Sequence, residues 1–136
     1  MIRIAALIAL SSVAIAAPMK WGGKLMPQGG TTVAGSVSVE PGSSASSTHA
    51  TVTITGGEAG VTYPWHVHSG KCGDNGAVVG QAGAYTPIKI GKDGNGKVDV
   101  TLPFAIPDNG AYYVNIHKSA TDMGTIVSCG NLSMAM

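Results

Sequence analysis

The stretch Tyr63-Pro64-Trp65-His66-Val67-His68-Ser69-Gly70-Lys71-Cys72 carries two histidines, two residues apart, in a run that favours a β-strand. Because successive side chains of a strand point to opposite faces, His66 and His68 are expected to share one face. Trp65 and Val67 then share the other face, where they can pack. Two imidazoles fixed on a rigid strand supply part of a metal site with little conformational entropy left to lose. The stretch therefore predicts a strand with one binding face and one packing face.

A second strand-like run, Ala111-Tyr112-Tyr113-Val114-Asn115-Ile116-His117, ends on a further histidine. By the same alternation, Tyr113, Asn115 and His117 share one face of this strand. Imidazoles from the two strands would converge if the strands were neighbours. Three histidines from two strands, His66, His68 and His117, could in that case complete the metal site that the first strand begins.

The rest of the chain has the composition of a turn-rich β protein. Only 11% of the residues are charged and 20 are glycine. Besides the strand around His66, the strand-like runs are residues 31–40, 48–55, 85–90, 97–102, 111–117 and 124–132. Residues 85–90 and 97–102 flank an Asp-Gly-Asn-Gly turn and are expected to form a hairpin. The pattern predicts an all-β fold, an antiparallel sandwich or flattened barrel of seven to eight strands.

Residues 1–16 have the features of a secretory signal peptide. A positive start at Arg3 precedes an apolar run and a small-residue ending, with cleavage expected after Ala16. The apolar run is shorter than the roughly 20 residues of a membrane span, so no integral span is expected after removal of this segment. The protein is therefore expected to be periplasmic or secreted.

The remaining chain divides into three parts by its patterning. Residues 17–30 are expected to form a lead or an edge strand, residues 31–132 the β domain and residues 133–136 a C-terminal tail. Arg3 lies in the predicted signal peptide, and the lysines that follow are balanced by seven Asp and Glu residues. No basic stripe occurs, which argues against nucleic acid or an anionic membrane surface as a partner.

The chain has two cysteines, Cys72 and Cys129. An exported protein meets an oxidising environment, in which the two can form a bridge that closes a large loop. The alternative is a pair of free thiols that act as metal ligands.

Several motifs follow one another in a recognisable order: His66-Val67-His68, then Gly70 and Cys72, the turn from Lys92 to Gly96, a valine-containing strand ending in His117, and Ser128-Cys129-Gly130. This order resembles the copper-zinc superoxide dismutase family over roughly residues 31–132. The resemblance implies a Greek-key β fold, copper bound by the three histidines, and a disulfide between Cys72 and Cys129.

Tyr113-Val114-Asn115-Ile116-His117, with Gly124 and Ile126 shortly after it, is also similar to the CHRD domain. That domain shares the H-x-H pattern and this strand. The similarity implies a structural or interaction module in which the histidines are incidental.

The chain departs from the dismutase pattern where that family binds zinc and guides its substrate. Residues 71–84 contain no histidine, so the zinc ligands and the bridging imidazole have no counterpart, and Ile126 stands at the position of the family's active-site arginine. Zinc is therefore not expected, and no residue is assigned a catalytic role. Superoxide is an anion, and without a guiding charge its capture should be slow.

A fourth metal donor is open to two candidates. His49 is the remaining histidine, and the Met123 thioether would favour Cu(I). Asp74 is the nearest acid to the H-x-H strand and is expected at most to orient an imidazole.

These observations favour an exported copper-binding protein that buffers, delivers or cycles copper, with a copper donor or acceptor protein as partner. A copper-only superoxide dismutase of weak activity and a metal-free CHRD-like module are the alternatives.

Overall fold

The computed structural model describes residues 8–9 and 20–135 of the chain. Of the predicted signal peptide, all but Ile8 and Ala9 lies outside the described residues. The described chain contains a single turn of 3-10 helix, Ala82–Ala84, and otherwise consists of strands and loops. The strands are β1 (Lys20–Pro27), β2 (Ala34–Pro41), β3 (Thr48–Thr55), β4 (Thr62–Tyr63), β5 (Trp65–Ser69), β6 (Ile88–Lys89), β7 (Gly96–Leu102), β8 (Tyr112–Ser119), β9 (Asp122–Asn131) and β10 (Ser133–Ala135). No helix in this part of the chain is long and apolar enough to span a membrane.

Eight of these strands form one antiparallel sheet. Its order is β5-β8-β9-β1-β2-β3-β7, with β10 paired to the start of β1, and the sheet curls into a half-barrel. Strands β4 and β6 form a small second sheet. The chain crosses between the two ends of the large sheet after β3, after β5 and after β7, which distinguishes the topology from a simple meander. The predicted all-β antiparallel fold is confirmed.

The concave side of the curled sheet holds the hydrophobic core. Alternate residues of each strand supply it, as period-two patterning requires. Its fully buried members include Leu25, Val52, Ile54, Trp65, Val67, Ile88, Leu102, Val114 and Ile116. Because Trp65, Val67, Val114 and Ile116 face this core, the other side chains of β5 and β8 must lie on the opposite face of the sheet. That face carries the histidines.

The N-terminal segment was predicted to be a lead or an edge strand, and this prediction is wrong. Strand β1 lies inside the sheet, between β2 on one side and β9 and β10 on the other. Trp21 and Leu25 bury their side chains in the core. Gly23 lies within this strand and has a packing role, because a Cβ at this position would lie 2.5 Å from the carbonyl oxygen of Asn131. The expected tail likewise joins the sheet as β10.

The hairpin expected from residues 85–90 and 97–102 does not form as a pair of hydrogen-bonded strands. The turn itself is present, since the Gly91 amide donates to the Asn95 carbonyl at 2.8 Å. However, β6 pairs with β4 and β7 pairs with β3. The turn therefore joins strands of two different sheets.

Candidate metal centre

The pairing of β5 with β8 brings the predicted histidines together. In the register, His66 lies opposite Asn115 and His68 lies opposite Tyr113. Residues directly opposite each other in an antiparallel pair share a face, so His117, two residues after Asn115, belongs to the same face. The His117 amide also donates to the Pro64 carbonyl at 2.9 Å, which fixes the end of β8 against the start of β5.

The three imidazoles form one compact, buried cluster. One ring nitrogen from each of His66, His68 and His117 lies within 4.8 Å of the others. The ring centroids are 5.0 Å apart for His66 and His117 and 5.8 Å apart for the other two pairs. The exposed fractions of the three residues are 6%, 8% and 5%, respectively. A metal ion between these rings would be largely removed from bulk water.

Two main-chain carbonyl groups orient two of the rings. His68 Nδ1 lies 2.8 Å from the Gly76 carbonyl oxygen, and His117 Nδ1 lies 2.7 Å from the Met123 carbonyl oxygen. A carbonyl oxygen can only accept, so both Nδ1 atoms carry the proton in these contacts. The lone pair of each ring is then on Nε2. This is the usual way in which an outer hydrogen bond sets the tautomer of a metal-binding histidine.

The remaining nitrogens of the cluster are not fully paired. His66 Nδ1 lies 3.0 Å from His117 Nε2, and because His117 already has its proton on Nδ1, His66 is the donor. His68 Nε2 is buried and has no hydrogen-bond partner among the described residues. A buried acceptor without a partner costs roughly 1 to 3 kcal/mol, and a metal ion would satisfy it. We therefore assign His68 Nε2 and His117 Nε2 as ligand atoms, together with His66 Nδ1, which can bind a metal once its proton has moved to Nε2.

Burial favours the neutral, metal-ligating form of His66 and His117. Desolvation, with smaller contributions from His117 and His68, lowers the pKa of His66 from 6.5 to about 4. Desolvation also lowers the pKa of His117, against the opposing effect of its hydrogen bond to the Met123 carbonyl. Neutral imidazole is the form that binds metal ions. Near neutral pH, both of these rings are therefore uncharged.

Aromatic rings wall the cluster on two sides. The Tyr113 ring stacks on His68 at a centroid distance of 5.2 Å, and Tyr85 meets His66 edge-on at 5.3 Å. Burial raises the pKa of Tyr85 to about 12, and its hydroxyl donates to the Val79 carbonyl at 2.7 Å. Because Tyr85 stays protonated and engaged, it acts as a wall and does not compete as a phenolate ligand.

The cysteines form a disulfide, so the alternative of two free thiols as metal ligands is wrong. The bridge between Cys72 and Cys129 ties the loop after β5 to strand β9. The same loop is held by the Cys72 amide, which donates to Asn131 Oδ1 at 2.8 Å, and by the Gly76 amide, which donates to the Tyr113 hydroxyl at 2.8 Å. These contacts position the Gly76 carbonyl that orients His68.

His49 does not belong to the cluster, and its prediction as a fourth ligand is wrong. It lies on β3, four strands away from β8 in the sheet order. Its Nδ1 lies 3.2 Å from Glu40 Oε1, and its Nε2 is bonded to Asp99 Oδ1. Those hydrogen bonds to Asp99 and Glu40 raise the pKa of His49. Both nitrogens of this ring are thus engaged by carboxylates from neighbouring strands.

Asp74 does not orient an imidazole, contrary to expectation. Its Oδ2 accepts from the Lys71 amide at 3.0 Å, within its own loop. The orienting groups are the carbonyls of Gly76 and Met123, which a sequence motif could not have revealed because every residue has a carbonyl. Met123 touches the cluster through its main chain, and its side chain is 38% exposed.

No protein-family model matches this chain, and no curated protein is similar to it.

Proposed function

We propose that this chain is an exported copper-binding protein that buffers or delivers copper through His66, His68 and His117. One observation carries the proposal: three buried imidazoles converge within 4.8 Å, and one of them holds a ring nitrogen with no partner in the described chain. Such an arrangement costs folding free energy unless something binds there. A resident or transported metal ion is the ligand that fits three convergent nitrogens.

Copper is favoured over other divalent metals by the donor set. Nitrogen sites follow an order of affinity in which Cu(II) exceeds Zn(II) and the earlier first-row metals. Imidazole also accepts Cu(I), so one site can hold both oxidation states. The cluster contains no carboxylate, which magnesium, calcium and manganese would prefer. The resemblance to copper-zinc dismutases points the same way, because it includes their copper-binding histidines and lacks their zinc ligands.

The residue next to the site, Ile126, favours storage or transfer of copper over fast dismutation of superoxide. Ile126 lies opposite His117 in the pairing of β8 with β9, at the position for which the resemblance implies an arginine. An apolar side chain there offers no attraction to a superoxide anion, and electrostatic focusing can change such capture rates by orders of magnitude. Weak dismutation is the enzymatic alternative, and a metal-free module of CHRD type is the structural one.

Export is part of the proposal. The predicted signal peptide at residues 1–16 is consistent with the Cys72–Cys129 disulfide, because such bonds persist mainly in oxidising compartments.

The test is a copper titration of the oxidised protein followed by electron paramagnetic resonance. We expect one equivalent of Cu(II) with nitrogen hyperfine structure, lost in the His66→Ala/His68→Ala double variant. A His49→Ala variant is the matched control, since it removes an imidazole outside the cluster and should bind one equivalent. Equal binding by the wild type and the double variant would overturn the proposal and favour the structural alternative.

A further inference from the structure

One end of the large sheet is closed and the other is open. At the closed end, a loop segment lies along the outer edge of β5. The Ser69 amide donates to the Ala77 carbonyl at 3.0 Å, and the Val79 amide donates to the Val67 carbonyl at 2.8 Å. The open end is β7, whose one strand neighbour in the described chain is β3. Its remaining backbone groups have no backbone partner outside that pairing among the described residues. An edge of this kind can accept a further strand.

Strand β6 lies near the start of β7 but does not cover this edge. A Cβ on Gly96 would point to the core face, because Gly96 and the buried Val98 share that face by the two-residue period of a strand. The atoms that this Cβ would meet, at 2.8 Å, belong to Ile88, Lys89 and Ile90. Strand β6 therefore packs against β7 from the core side and leaves its outer edge unpaired.

The exposed face of β7 carries two opposite charges, one on either side of Val98. Lys97 and Asp99 are both exposed. Lys97 forms no ion pair with a described residue, and Asp99 bonds His49 through Oδ1, which leaves its Oδ2 free of that contact. If two copies of β7 pair antiparallel about Val98, Lys97 of each copy lies directly opposite Asp99 of the other. The strand is therefore complementary in charge to a second copy of itself.

The two charges also select the register of such a pair. Opposite residues of a two-fold antiparallel pair share a face, so the symmetry axis passes through a residue position. An axis at Lys97 would oppose two ammonium groups, and an axis at Asp99 would oppose two carboxylates. Like charges directly opposite each other are destabilising. Of these three registers, only the one centred on Val98 forms ion pairs, and the same charges hinder less specific pairing of the edge.

We propose that the protein forms a two-fold symmetric dimer in which the β7 strands of two copies pair edge to edge about Val98. The antiparallel sheet then continues from one protomer into its partner. Strand β5, which carries His66 and His68, is at the opposite end of the sheet order, and β8, which carries His117, is next to it. The dimer uses neither of these strands, so the inference is independent of copper binding.

The experiment is sedimentation equilibrium of the oxidised protein over a range of concentrations, with charge-reversed variants. Lys97→Asp opposes carboxylates across the interface, and Asp99→Lys opposes ammonium groups. We expect each variant alone to have a dimer dissociation constant raised roughly tenfold or more. An equimolar mixture of the two should form a heterodimer, because every charge then meets its opposite. Lys24→Asp, at an exposed position of β1 inside the sheet, is the matched control and should dimerise like the wild type.

A fourth variant guards against loss of folding. Lys97→Asp/Asp99→Lys restores both ion pairs with the charges exchanged, so it should dimerise like the wild type even if one single variant is unstable. Circular dichroism compares the fold of all variants. A wild type that stays monomeric at its highest soluble concentration would overturn the proposal. A dimer that neither single variant weakens would overturn it as well, since the interface would then lie elsewhere, and so would folded single variants whose mixture stays monomeric.

Discussion

His66 Nδ1 donates a hydrogen bond to His117 Nε2 over 3.0 Å, so two of the nitrogens best placed to bind a metal are bonded to each other. This bond holds the two rings in position in the metal-free protein. A metal ion that takes both nitrogens must replace it, because the lone pair of His117 and the proton of His66 occupy the space between them. The metal-free cluster is thus preorganised, and binding exchanges one internal hydrogen bond for metal-ligand bonds.

The first prediction concerns the tautomer of His66. In the metal-free protein the proton is on Nδ1, and we expect it to move to Nε2 when the protein is loaded with Cu(I). His68 and His117 should keep their protons on Nδ1, because the Gly76 and Met123 carbonyls accept them. Nitrogen-15 chemical shifts of the ring atoms measure this. If His66 retained its Nδ1 proton in the loaded protein, the assignment of Nδ1 as the ligand atom would be wrong.

The second prediction is a loss of stability in mild acid. The pKa of His66 falls from 6.5 to about 4 on folding, so between these values the unfolded chain binds more protons than the folded one. The free energy of unfolding of the metal-free protein should therefore be highest above pH 6.5 and fall as the pH drops towards 4. We expect His66 to account for up to about 3 kcal/mol of this fall. Urea unfolding at several pH values, for the wild type and His66→Gln, measures the difference.

His49 provides the control for that experiment, because its shift has the opposite sign. Asp99 and Glu40 raise its pKa, so the stability it contributes is present below pH 6.5 and is lost as the pH rises through its folded pKa. A His49→Gln variant should thus keep the acid loss seen in the wild type. An acid loss that persists unchanged in His66→Gln would contradict the assignment to His66.

The location of the site could be predicted from the sequence because it depends on local alternation. Once β5 and β8 are neighbours, the positions of His66, His68 and His117 follow from the two-residue period of a strand. The same argument assigns Trp65 and Val67 to the core. No knowledge of the other strands is needed for either conclusion.

What could not be predicted depends on contacts between distant segments. In the sequence, Gly23 suggests a break in a strand. In the structure, a side chain at this position would collide with the Asn131 carbonyl, so the strand requires a glycine there. His49 was a candidate ligand because the sequence does not show its partners. Glu40 and Asp99, which occupy both of its ring nitrogens, come from two other strands. The carbonyl that orients His68 comes from Gly76, whose side chain gives no signal.

The third prediction concerns the disulfide. The bond between Cys72 and Cys129 spans 57 residues, and the chain-entropy model gives such a loop a stabilisation of about 4 kcal/mol. Cys72→Ser/Cys129→Ser should lower the free energy of unfolding by about that amount, measured by urea titration. Reduction of the wild type should reproduce the loss, since both treatments remove the same constraint. A loss below about 1 kcal/mol would contradict the prediction and show that the loop is held mainly by its hydrogen bonds.

The fourth prediction concerns Gly76, which links the loop to the site. A Cβ at this position would overlap the Ser69 carbonyl oxygen, so Gly76→Ala must displace the loop and with it the carbonyl that orients His68. We expect a loss of roughly 2 to 3 kcal/mol in unfolding free energy, and copper affinity weakened 10- to 100-fold, as is typical when a group that orients a metal ligand is lost.

Gly83→Ala is the matched control, because no atom lies within 4 Å of a Cβ there. Since a misfolded variant would also bind poorly, affinity is compared under conditions in which circular dichroism shows Gly76→Ala to be folded. Wild-type affinity in a folded Gly76→Ala would mean that the His68 tautomer does not depend on this carbonyl.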